Sequence, residues 1–197
     1  MIVYHRDKSG FCDDVATGRI DEILLDRVRD RLGIGVGPSE VKSWHHSLTH
    51  LSLVLGDEGI PTSTGVALEF QIPQTGKRID ALLSGRNDEV ADRAVIIELK
   101  QWETAEETAM DGVVRTFLGG GIRDTAHPSY QAWSYAELLR GFNESVYEGD
   151  IELHPCAFLH NYQAPAALEA DFYAPWLKQA PLFGKTDVKA LRAFIKK

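Results

Sequence analysis

Asp80 lies in the apolar run RIDALL, and Glu98 and Lys100 close a second run, VIIELK. Alternate side chains of a strand share a face, so Glu98 and Lys100 point the same way with Leu99 opposed between them. If the two runs pair, Asp80 joins them. Two carboxylates are hard oxygen donors suited to Mg²⁺, which keeps several waters and leaves positions for phosphate oxygens. The metal activates an attacking water, and a lysine ammonium helps to offset charge on the phosphorane, so the set suits metal-assisted phosphodiester hydrolysis. An E-x-K tripeptide alone is common, and ordinary strand-end pairs (Asp80 with Lys77 or Arg78, Glu98 with Lys100) are the bland alternative. Context favours chemistry: AVIIE is apolar on both faces, as a central strand requires, and a carboxylate ending it is costly without a partner.

Gln131 and Tyr135, four residues apart, share one helix face with Leu138 and Phe142. Such a pair can hydrogen-bond a phosphate or a metal-bound water. A core-facing tyrosine beside an amide is the plainer alternative.

The elements that must position these residues follow from periodicity. Arg19 to Leu32 repeats apolar residues at helical spacing and ends in the glycine-rich stretch 33–37. A second helix is expected from Pro38-Ser39, with Ser39 as cap, to about Gly56; Val41, Trp44, Leu48, Leu51 and Leu55 form its apolar stripe. Strands are expected at Val66–Ile72, Arg78–Leu83 and Ala94–Leu99, as an antiparallel meander with a Pro73–Lys77 turn and a charged loop from Ser84 to Arg93. Gln101 to Ser129 reads as a polar excursion with one hairpin, Pro128 to about Phe142 as a helix, and Leu153 to His160 as a further strand. From Ala164 to Lys197 a loop and a short helix starting at Thr186 form a tail of the kind that leads into another domain.

The 197 residues, 44% of them apolar, suffice for one α/β domain with appendages. A net charge of −8 disfavours attachment to nucleic acid through bulk positive charge, so any such contact must be local. Cys12 and Cys156 fit neither a zinc pattern nor a disulfide framework, and no signal-peptide core or membrane-length apolar run occurs; the expectation is a soluble cytoplasmic protein.

The ordered set Asp80, Glu98-Leu99-Lys100 and Gln131-x-x-x-Tyr135 resembles the PD-(D/E)XK nuclease superfamily, and its glutamine and tyrosine resemble the RecB-like branch. The stretches SEVKSWHHSL, LEFQIP, KRIDALLSG, IIELKQW and HPSYQAWSY are similar to the N-terminal nuclease domain of bacterial Schlafen-related nuclease-helicase proteins, over roughly residues 38–163. The resemblance implies an α/β fold with a restriction-endonuclease-like αβββαβ core, a mixed central sheet flanked by helices. Residues 1–37 would be an accessory helix region and 164–197 a tail linking to a helicase domain. It implies cleavage of DNA, preferred over RNA, with Mg²⁺ or Mn²⁺ held by Asp80 and Glu98, Lys100 as catalytic lysine, and Gln131 and Tyr135 positioning substrate. A non-cleaving nuclease-fold module for nucleic-acid binding or protein assembly is the competing expectation.

Relatives of this kind add a first-helix acid or histidine to the metal site. Of Glu40, His45, His46 and His50, Glu40 falls at the edge of the apolar stripe and leans toward the core, while His46 and His50 point away and His45 flanks it. Glu40 is therefore the third expected ligand, although RecB-like relatives use a histidine and a helix-start glutamate is also favoured by the dipole. Glu69, expected on the face opposite Leu68 and Phe70, is an extra acid or, more simply, a partner for Arg78. Trp44, Trp102 and Trp133 are base-stacking candidates, with packing as their ordinary role. Gly184-Lys185-Thr186 has Gln179 where a phosphate-binding loop needs its first glycine. Gly119-Gly120-Gly121 reads as a flexible hinge, the histidines lack zinc spacing, and no G-x-S-x-G is present.

Overall fold

The computed structural model describes residues 1–86, 92–149, 151–163 and 165–197. In chain order the elements are β1 (Tyr4–Asp7), α1 (Lys8–Ala16), α2 (Ile20–Leu32), α3 (Pro38–Leu55), β2 (Gly65–Gln71), β3 (Arg78–Arg86) and β4 (Asp92–Lys100). They continue with β5 (Glu106–Glu107), β6 (Val113–Leu118), β7 (Gly121–Ala126), α4 (Pro128–Phe142), α5 (Glu144–Tyr147), β8 (Ile151–Leu159), α6 (Ala174–Gln179), β9 (Leu182–Gly184) and α7 (Val188–Ile195). The fold is mixed α/β. The expected charged loop is strand through Arg86 and again from Asp92; its portion at 87–91, and the tail's first residue 164, lie outside the described residues.

Six strands form one mixed sheet in the order β1-β2-β3-β4-β8-β9. Neighbours among the first four are antiparallel, with short connections between β2, β3 and β4 and three helices between β1 and β2, while β8 runs parallel to β4 and β9 parallel to β8. The parallel β4–β8 step uses α4 as its crossover. Segments expected as an appendage and a tail thus supply the sheet's two edge strands.

Helices cover both faces. Leu48 and Leu51 of α3, Phe11 of α1, Leu24 of α2 and Leu191 of α7 pack on Val66, Leu68, Ala81, Val95 and Ile97. On the other face Tyr135, Ala136 and Leu139 of α4 meet Ile79, Ala94 and Ile96. Double coverage explains why β4 is buried from Ala94 through Glu98. α3 starts without the expected Ser39 cap: Gly37 is the N-cap and Pro38 opens the helix, its missing N–H costing nothing there. At α4, His127 caps by accepting the Ser129 N–H at Nδ1 (3.1 Å), and its Nε2 reaches the Leu168 carbonyl (2.9 Å).

The polar excursion is a separate three-stranded sheet, β5-β6-β7. Its glycines are not a hinge: Gly119 (φ 58°) and Gly120 (φ 85°) form the β6–β7 hairpin turn, where successive left-handed residues match the twist of the strands. Val114 packs with Trp102, Leu159 and Tyr173, fastening this sheet beside the end of β8.

Candidate active site

Register places three carboxylates in one row. Leu68 faces Ala81 and Phe70 faces Ile79, which brackets Glu69 against Asp80. Ala81 faces Ile97, so one step further sets Asp80 beside Glu98. The β3–β4 ladder stops at that step: Asp80 Oδ2 accepts the Leu99 N–H (2.8 Å), a carboxylate standing where a backbone carbonyl would otherwise pair. The strands fork at the carboxylates.

Glu98 sits on the face that α4 covers. Its Oε1 accepts from Lys100 Nζ (2.6 Å) and Gln131 Nε2 (2.7 Å), and Gln131 Nε2 also lies 2.8 Å from Tyr135 Oη. The structure therefore joins Glu98, Lys100, Gln131 and Tyr135 in one hydrogen-bonded set, with Asp80 against Glu98. Glu98 Oε2 is buried without a hydrogen-bond partner among the described residues. Burial, followed by repulsion from Asp80, drives the Glu98 pKa upward. Burial opposes the Lys100 ammonium, but Glu98 and Asp80 outweigh it and hold the lysine's pKa above its ordinary value. Tyr135 is shifted up by burial and then by Glu98, so it stays a phenol at neutral pH.

Glu40 does not join this set. It accepts from Arg78 Nη2 (2.9 Å), and Arg78 Nη1 lies 2.8 Å from Glu69 Oε2, a charge contact that misses hydrogen-bond alignment. Glu69 Oε1 in turn accepts from Trp44 Nε1 (2.8 Å). Burial and then Asp80 push Glu69 up to about 7, against the pull of Arg78. Among the described residues no three histidine, cysteine or carboxylate side chains converge as a metal-binding group, so the expected third ligand is absent from the arrangement seen. Both Glu40 and Glu69 nevertheless line, with Asp80 and Tyr135, a cleft of about 400 Å³ between α3 and the forked strands.

Glu69 departs from its expected orientation for a backbone reason. Its φ is 51°, in the left-handed region, within β2. Leu68 and Phe70, two residues apart, should share a face, yet Leu68 packs on the α3 side and Phe70 against the α4 side. The kink swaps faces and turns Glu69 toward Trp44. Sequence alternation carries no mark of this, since every side chain keeps a plausible partner.

The histidines have other partners. His45 pairs with Asp21 (2.8 Å). His50, expected to point away, stacks on His160 (centroids 4.5 Å apart), whose Nε2 lies 3.0 Å from Ser47 Oγ. Burial and then His50 lower His160 to about 4. His160 and Ser47 went unnoticed in the sequence because nothing local links positions 113 apart. Trp102 is buried with Lys100 Nζ 5.7 Å from its ring centroid, and Trp133 packs against Tyr130 and Trp176. All three tryptophans have packing partners within the protein. No helix among the described residues is long and apolar enough to cross a membrane.

No protein-family model, curated protein or solved structure matches the chain.

Proposed function

We propose that this protein is a divalent-metal-dependent nuclease of the PD-(D/E)XK type, built on a restriction-endonuclease-like core formed by α3, β2–β4, α4 and β8. The observation that carries this reading is the fork: Asp80 and Glu98 meet where β3 and β4 part, with Lys100, Gln131 and Tyr135 around Glu98. The donor set fits Mg²⁺ or Mn²⁺. Two carboxylates suffice for an ion that completes its shell with water and phosphate oxygens, and the buried, unpartnered Glu98 Oε2 is an oxygen donor free to serve one. Asp80 and Glu98 would hold the metal, which when bound supplies a more acidic water and a counter-charge for phosphate.

The chain's own groups supply the rest. Lys100, with Nζ 2.6 Å from Glu98 Oε1, would set an ammonium beside the charge gathering on the phosphoryl oxygens. Gln131 fixes the Glu98 carboxylate and, with the Tyr135 phenol, presents hydrogen-bonding groups to a phosphate or an attacking water. DNA is the preferred substrate over RNA, and a helicase domain or subunit is the proposed source of further affinity, since the acidic chain has little bulk attraction for phosphate.

The test is incubation with labelled single- and double-stranded DNA and RNA, with Mg²⁺, Mn²⁺ or EDTA, alongside Asp80→Ala and Lys100→Ala. Metal-dependent cleavage reduced ~10²–10³-fold by either substitution is expected. Equal cleavage by the variants would sink the site. No cleavage by the protein, alone or joined to its motor, favours a non-cleaving binding module.

A further inference from the structure

The cleft beside Asp80 is larger than the metal reading needs, and its walls suit a different part of the substrate. At about 400 Å³ it falls in the range of small-ligand pockets, ~300–1,000 Å³, and would take roughly one nucleotide. Leu24, Leu48 and Leu68 close the floor of the space, and the rings of Trp44 and Tyr135, both mostly buried, line it; Lys77 Nζ sits 5.6 Å from the Tyr135 ring centroid, so a base reaches that ring by displacing the ammonium. Glu40 and Arg78, joined at 2.9 Å, also line it and set a carboxylate acceptor beside a guanidinium that faces Glu69 on its other nitrogen, a polar edge of the kind that matches a base's hydrogen-bonding edge. Lys77, exposed at the mouth, suits a backbone phosphate.

Resting on the nuclease reading, we infer that this cleft binds one unpaired nucleotide next to the scissile phosphate, so the favoured substrates are strands with a frayed end, flap, mismatch or bulge. The left-handed Glu69 supports this. By turning β2 at the level of Asp80, it holds Glu69 against Trp44, so both side chains line the cleft.

Ser43 offers a clean probe, because it is exposed on α3, lines the cleft and belongs to no catalytic contact described above. Ser43→Phe should plug the mouth; Ser43→Ala should not. Two assays are run on both variants and the parent, after melting curves confirm folding. Cleavage with Mn²⁺ compares a fully paired duplex, the same duplex with one unpaired nucleotide, and a third with an abasic residue at that place. Anisotropy in EDTA measures binding of the same three labelled duplexes.

The parent is expected to favour the unpaired nucleotide over both others by about tenfold in each assay, with Ser43→Phe erasing the preference and Ser43→Ala keeping it. Equal treatment of the abasic duplex, or an undiminished preference in Ser43→Phe, overturns the inference. Should no duplex be cut, binding alone decides: discrimination lost in Ser43→Phe upholds the pocket and counts against the nuclease reading. Cleavage without discrimination does the reverse.

Discussion

Asp80 and Glu98 face each other with too much negative charge for their surroundings, and Glu69 shares the problem. Burial and Asp80 raise Glu69 to about 7 from an ordinary 4.5, and Glu98 is displaced in the same direction. A carboxyl raised in this way binds its proton more tightly folded than unfolded. Its contribution to stability is therefore complete below about 4.5 and is lost as pH rises through about 7. For the metal-free protein, Glu69's share of the unfolding free energy should fall by up to about 3 kcal/mol between those limits; it is read as the difference between the parent and Glu69→Gln in denaturant titrations at stepped pH, because His160, held low by burial, gives the opposite slope over nearly the same range. A pH-independent difference would contradict the burial argument. Asp80→Asn keeps an oxygen for the Leu99 N–H but removes a charge, so at pH 8 it should stabilise the metal-free protein by roughly 1–2 kcal/mol. It should also abolish any rise in melting temperature on adding Mn²⁺. That Asp80, Glu98 and Lys100 fall together, with Gln131 and Tyr135 on one helix face, was legible because strand spacing and helix spacing are local rules. Glu40 was not, since its fate depends on Arg78, a residue 38 positions away that bridges it toward Glu69.

At the level of elements, short apolar or alternating runs located β2, β3, β4 and β8, and period 3.6 located α2, α3 and α4. What escaped was α1, together with two strands too short for a period to show. Only Tyr4 of β1 is buried, and β9 has three residues; both exist because a longer neighbour offers an edge to pair with. The kink at Glu69 was equally invisible, and it can be isolated by a paired substitution. Glu69→Gly and Glu69→Ala both delete the carboxylate and strand Arg78 and Trp44 alike, but only glycine tolerates a φ of 51° without strain. Glycine should exceed alanine in stability by about 1 kcal/mol, reversing their usual order in a strand. Alanine matching or exceeding glycine in chemical denaturation would mean that β2 relaxes to regular geometry once the carboxylate is gone.

Over the whole molecule, the sequence suggested a core with two appendages, whereas one sheet runs from Tyr4 to Gly184. Phe183 and Leu191 join the core beneath α3, so the segment after residue 180 carries part of the fold whatever it leads to. Charge is the other whole-molecule property. On the proposed reading, attraction to phosphate at net −8 comes from Lys77 and Arg78 at the cleft and Lys100 beside Glu98, and Arg78 and Lys100 already face carboxylates. Each phosphate contact contributes about −0.9 to the slope of log K against log salt on duplex DNA and about −0.7 on single strands. With Lys77, Arg78 and Lys100 as the contacts, the slope should not exceed about 3 in magnitude, and Lys77→Ala should reduce it by nearly 1. Anisotropy titrations in EDTA across roughly 50–300 mM KCl measure this directly. A slope of about 5 or more, insensitive to Lys77→Ala, would move the contact to another surface. The groove lined by Arg140, Lys178 and Lys197, beside β9 and remote from Asp80 and Glu98, would then be the place to look, and the fork would lose its claim on the substrate.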